Sequence, residues 1–389
     1  MLTARRRIAV VLLSIAGGLG FFAAGSESAV SLDGVSAAFQ PFASSFLSPS
    51  TGFVLGGVGC RFGFNGAQRP CKPVIVTTSD AGVHWRAVSA APTTLEPVGI
   101  FGLVDPLVKA ITFADPRDGW LFGPGLWATH DGGQHWKRIA INMPVVGVVA
   151  SGGWAYAATY PRLGESRGSS SLWRSPVGRD DWQAVGALAS TASSLVSVLA
   201  ASGRSLWVGV LPANATDTSV PVLWRTTDGA HWQRIAQPCA SASSAVLSID
   251  ATSATDLVMV CTGSSGHEEI VTSTDGGIHT RRTAQAPAGT FFEVVGAALG
   301  ELKTIVLASP NDVVVPATAL PPVRSELERT GDGGRSWTRT VYGKPNVGWA
   351  DLQFLSPTVA WAVHGYPGAS ADQLVRSTDA GASFKPVPF

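Results

Sequence analysis

The stretch Thr129-His130-Asp131-Gly132-Gly133-Gln134-His135-Trp136 decides the fold, because its spacing of Thr, Asp, Gly and Trp returns along the chain. Further complete copies are Thr78, Asp80, Gly82, Trp85 and Thr330, Asp332, Gly334, Trp337. Ser377, Asp379, Gly381 ends in Phe384, and Ser273, Asp275, Gly277 ends in Thr280. Thr226, Asp228, Gly229, Trp232 is one residue shorter, while Ser175 to Trp182 keeps the ends of the pattern without its aspartate. Successive copies begin 51, 46, 51, 47, 57 and 47 residues apart.

An Asp-x-Gly step supplies a carboxylate that accepts backbone N–H groups and a residue tolerant of positive φ, as a tight turn between antiparallel strands requires. Upstream, Phe113, Pro116, Gly119, Trp120 matches Phe354, Pro357, Ala360, Trp361 and, with Phe53 last, Phe46, Pro49, Gly52. Each unit of about fifty residues therefore reads as strand, turn, strand, longer loop, strand, aspartate turn, strand. Four short strands at this period predict a propeller blade. The expected fold is all-β, a single seven-bladed β-propeller of four-stranded antiparallel blades over residues 41–389. The segment from Ser383 to Phe389 completes the seventh blade, so the ring is expected to close by side-chain packing.

Before the repeats, Arg5, Arg6 and Arg7 precede an apolar stretch from Ile8 to Ala24, long for the hydrophobic region of a signal peptide and short for a membrane span. Residues 1–25 are read as a helical signal peptide or membrane anchor, cleavage being favoured, and 26–40 as a linker. Either way the body is exported, to the cell envelope or beyond. Charged residues make up only 14% of the chain and the net charge is +1, which argues against nucleic acid as a partner. A monomer is expected.

Four cysteines in an exported chain suggest two disulfides, with three pairings open. Cys60 with Cys71 in blade one and Cys239 with Cys261 in blade five are preferred, free buried thiols being the alternative. The cysteines lack Cys-x-x-Cys spacing, so neither a metal nor another cofactor is expected. His84, His135, His231 and His279 all precede the last residue of a repeat in different blades, which makes a shared metal site improbable. His130 and His135 flank Asp131 and read as a solvated pair.

The repeat resembles the bacterial neuraminidase repeat, or Asp-box, found in sialidases, sortilin-type receptors, xyloglucanases and the photosystem II assembly and stability factor family. Gly119-Trp120-Leu121-Phe122-Gly123 followed by Trp127-Ala128-Thr129-His130-Asp131-Gly132-Gly133 is most similar to the assembly-factor type. The resemblance implies that the box residues are structural, on hairpin turns away from any binding face: Asp80, Gly82, Trp85; Asp131, Gly133, Trp136; Asp228, Trp232; Asp275, Gly277; Asp332, Gly334, Trp337; and Asp379, Gly381, Phe384. A sialidase would need an early Arg-Ile-Pro strand, an arginine triad and a tyrosine nucleophile. No such strand motif occurs, and only Tyr156, Tyr160, Tyr342 and Tyr366 are available.

No catalytic residues are assigned. The favoured function is a non-catalytic extracytoplasmic binding or assembly module that holds a protein or glycan partner, the alternative being a sialidase-like or other glycoside hydrolase. Recognition is expected on the second-to-third strand loops, read as 60–72, 160–171, 211–221, 310–323 and 365–372. Arg61, Arg69, Tyr160, Arg162, Glu165 and Arg167 are the candidate contacts.

Overall fold

The computed structural model describes residues 35, 38–60, 71–95, 108–123, 125–160, 170–186, 194–212, 221–235, 238–239, 244–262, 268–285, 306–309, 312–318, 325–333, 335–343, 349–365 and 373–389. The signal or anchor segment lies outside them. Among the described residues no helix is long and apolar enough to cross a membrane.

The described residues form seven four-stranded antiparallel sheets, each made of four consecutive strands in meander order. The first comprises Phe39–Phe46, Gly52–Val58, Val74–Thr78 and Arg86–Val88. The seventh comprises Trp349–Phe354, Ala360–His364, Gln373–Ser377 and Lys385–Pro386. The first strands of successive sheets touch in order, and that of the seventh sheet touches that of the first, so the array is a closed propeller.

Burial follows the radial position of each strand. Second strands such as Gly119–Phe122 and Ala360–His364 are buried throughout, since they sit mid-sheet with a neighbouring sheet on either side. That is why they read as continuous apolar runs and not as alternating ones. Short fourth strands such as Lys137–Ile139 are mostly exposed. The apolar clusters lie between sheets: Phe53, Leu55 and Ile75 of the first pack with Ile111, Phe113 and Leu121 of the second. Trp120, Trp207 and Trp361 are fully buried second-strand residues, which places the tryptophan repeat in the core and not on a carbohydrate platform.

The last sheet owns all four of its strands, and its fourth is only Lys385–Pro386, shorter than the sequence suggested. Closure is by packing and hydrogen bonds. Phe46 stacks on Trp361 with ring centroids 4.1 Å apart, and Phe389 meets Phe39 edge-on at 4.6 Å. The Ser44 N–H donates to Asp351 Oδ2 at 2.8 Å, and the indoles of Trp361 and Trp85 donate to the carbonyls of Pro49 and Pro388.

Two expectations change. Residues 312–318, assigned by sequence to a recognition loop, are the second strand of the sixth sheet. Pro316 disguised it, yet Val313, Val314 and Val315 favour extended backbone. Cys239 lies in the connection between the fourth and fifth sheets, not within the fifth, although its pairing with Cys261 is as expected.

Candidate functional site

A meander of antiparallel strands gives the ring two different ends. First-to-second and third-to-fourth strand turns emerge at one end, the turn face. Second-to-third loops and the connections between sheets emerge at the other, the loop face.

The turn face carries the aspartates of the repeat, and their hydrogen bonds are spent within each turn. Thr129 Oγ1 donates to Asp131 Oδ1 at 2.9 Å and accepts the Gly133 N–H at 3.0 Å. The same carboxylate oxygen accepts the Gln134 and His135 N–H groups, and Asp131 Oδ2 lies 2.6 Å from His135 Nδ1. The arrangement recurs at Asp80, Asp228 and Asp275 with His84, His231 and His279. Ser336 and Ser383 take the histidine's place at Asp332 and Asp379. The His84 N–H, the His84 side chain and the Thr78 hydroxyl hold Asp80 down at about 2. At Asp131 burial pushes upward, but the His135 N–H and side chain overcome it, and the carboxyl again falls to about 2. The backbone asks for glycine here because Gly132 and Gly133 both take positive φ, 74° and 86°. Gly334 lies outside the described residues. Each of these carboxylates thus serves its own hairpin.

His130 departs from its expected role. Its Nδ1 lies 2.6 Å from Asp118 Oδ1 in its own sheet, and its Nε2 lies 3.2 Å from Asp180 Oδ1 in the next. Lys137 donates to the other Asp180 oxygen at 3.0 Å. The histidine is a tie between the second and third sheets, not a solvated partner of His135.

The loop face is braced by both disulfides, Cys60–Cys71 and Cys239–Cys261. Of the six candidate contacts, Arg61, Arg69, Arg162, Glu165 and Arg167 lie outside the described residues. Tyr160 is half-buried at the end of the second strand of the third sheet, its N–H donating to the Pro144 carbonyl. Burial raises its hydroxyl above the usual tyrosine range, as it does for Tyr342. For Tyr156, burial and the charge of Asp228 outweigh the opposing pull of Arg174. Tyr366 lies outside the described residues. Burial therefore disfavours ionisation at each of the three described tyrosines.

The sequence reading missed an aromatic cluster on this face. The His364 ring lies 4.7 Å from Tyr342 and 4.8 Å from Trp349, centroid to centroid, and Trp349 lies 5.0 Å from Phe384. His364 is only 4% exposed. Burial pushes its imidazole down to about 4, against a hydrogen bond to the Tyr342 backbone. No metal-ligand signal could have pointed to it, and among the described residues no three His, Cys, Asp or Glu side chains are gathered to hold a metal.

A row of side chains crosses the middle of every sheet. Third-strand and fourth-strand partners are Thr77 and Arg86, Ala128 and Lys137, Arg174 and Gln183, Arg225 and Gln233, Thr272 and Arg281, and Arg329 and Thr338 in the first six sheets. One cation faces one neutral residue each time. The seventh sheet differs, with Arg376 opposite Lys385. Arg174 and Arg225 lie over Trp154 and Trp207 and reach the carbonyls of Gly229 and Ala254 in the next sheet.

No protein-family model and no curated protein matches the chain. Among solved structures, YCF48 from Cyanidioschyzon merolae is similar with a TM-score of 0.52 and 14% identity, over 89% of this chain and 97% of that one. A structure described as YCF48 bound to D1 peptide has a TM-score of 0.50 and 14% identity, over 88% of this chain and 94% of that one. The GH74 xyloglucanase from Xanthomonas campestris has a TM-score of 0.42 and 13% identity, over 89% of this chain and 72% of that one. At these identities the likeness to YCF48 establishes a shared propeller fold.

Proposed function

We propose that the chain is a non-catalytic, extracytoplasmic binding or assembly module, a seven-bladed ring that holds a protein segment or glycan on its loop face. The observation that carries this reading is the asymmetry of the ring. On the turn face the aspartates of the repeat are satisfied within their own hairpins, while the loop face carries the longer connections on a frame braced by two disulfides. A propeller of similar fold has been solved with a peptide bound, which favours a protein segment as the occupant. Two disulfides fit an oxidising compartment, and the N-terminal apolar segment would deliver the chain there. The raised hydroxyls of Tyr156, Tyr160 and Tyr342 support the non-catalytic reading over a tyrosine nucleophile.

The test is capture of an envelope partner by the tagged exported protein. Arg162→Ala is expected to weaken capture with an unchanged melting temperature. Absence of any specifically enriched partner, or turnover of fluorogenic sialosides or glucosides, would overturn the proposal.

A further inference from the structure

The seam between the seventh and first sheets holds two cations that the fold does not neutralise. Trp361, Arg376 and Lys385 are consecutive partners across the second, third and fourth strands, so they share one face of the seventh sheet. That face packs on the first sheet, because Trp361 stacks on Phe46. Like charges directly opposite on paired strands repel. In the other six sheets the same position carries a single cation, so the pair is peculiar to the seam.

The arginine is also free of the role its counterparts have. In the fourth sheet the Trp207 indole donates to Gly276 O and Arg225 reaches Ala254 O in a different turn of the next sheet. In the seventh sheet Trp361 itself takes the carbonyl of Pro49. Arg376 keeps its place over the Trp361 ring, 5.5 Å from the centroid, and its buried Nε, like that of Arg225, has no hydrogen-bond partner. Among the described residues neither Arg376 nor Lys385 has a carboxylate partner. The neighbouring Asp379 is occupied by the Ser377 hydroxyl and by the N–H and hydroxyl of Ser383. Both cations line a cleft of about 140 Å³ together with Thr378, Ser383, Ala81 and Val387, the last two closing it from the first-sheet turn and the C-terminal segment.

We propose that this cleft is an oxyanion site, in which Arg376 and Lys385 hold a phosphate or sulfate group and the Thr378 hydroxyl adds a donor. A guanidinium and an ammonium side by side suit a tetrahedral group bearing several negative oxygens. Bound there, the anion relieves the repulsion between the third and fourth strands of the last sheet, beside the point where the chain is not continuous.

The experiment is thermal unfolding of the full chain against increasing inorganic phosphate, sulfate or phosphoserine, with chloride at matched ionic strength as control. Melting should rise with the logarithm of phosphate or sulfate concentration and not with chloride. A response to phosphoserine at least as strong as that to inorganic phosphate assigns the site to a phosphate ester; a response to the inorganic ions alone assigns it to a free ion. Lys385→Gln should weaken the response at least tenfold in concentration while raising melting in the absence of oxyanions, since it removes one of the opposed charges. Arg86→Gln, at the equivalent place in the first sheet, should leave the response intact. Equal responses to phosphate and chloride in the native chain, or an undiminished phosphate response in Lys385→Gln, would overturn the assignment.

Discussion

Lowering the pH from 7 to 5 should remove about 2 kcal/mol of stability through His364 alone. The imidazole is buried between Tyr342 and Trp349 and is held at about 4, against 6.5 for an ordinary histidine. As pH falls through 6.5 the unfolded chain takes up the proton first, so folding loses ground until the folded state also protonates near 4. The whole gap is worth about 3 kcal/mol, at about 1.4 kcal/mol per pH decade, and about 2 kcal/mol of it is gone by pH 5. Urea unfolding at both pH values reads this directly, with His364→Phe as the reference that keeps a flat ring in the cluster and cannot protonate. The substitution also leaves the Tyr342 backbone without its partner, so the quantity to compare is the change with pH and not absolute stability. Equal losses between pH 7 and 5 in the native chain and the variant would refute the reasoning.

Three further outcomes are expected. Thr129→Val removes the buried hydroxyl that joins Asp131 to the Gly133 N–H and should cost about 1–3 kcal/mol by urea unfolding. Because Asp80 and Asp131 are held at about 2, the aspartate turns should add a second, separate loss of stability as pH falls below about 4, which an acid titration monitored by circular dichroism resolves. Trp361→Ala at the seam should cost about 3–5 kcal/mol, the range for a fully buried large aromatic, and calorimetry should show it as a drop in melting temperature.

Much of this architecture is legible in the sequence, for physical reasons. The aspartate turns are local, with every partner of Asp131 within four residues of it, so a pattern of eight residues contains the whole device. The nearest-neighbour pairing of the cysteines follows from their proximity in sequence, 11 and 22 residues apart. What escaped depends on contacts between sheets. Asp118 and Asp180 lie 12 and 50 residues from His130, and no local pattern links them. The Arg376 and Lys385 pair becomes visible only when register is known, since nine residues separate them in sequence. His364 looked ordinary because its burial comes from Trp349, opposite it on the paired strand, and from Tyr342, which follows the last strand of the sixth sheet. Pro316 hid a strand by a rule that holds for most sheet interiors.

The most direct test of the central claim is hydrogen exchange of the protein alone and with a partner captured by it. Protection confined to the loop-face segments, including 60–72 and 160–171, with the aspartate turns unchanged, is the predicted result. Protection centred on the turns around Asp80, Asp131 and Asp228 would contradict the account, because the partner would then sit on the end of the ring assigned to the frame.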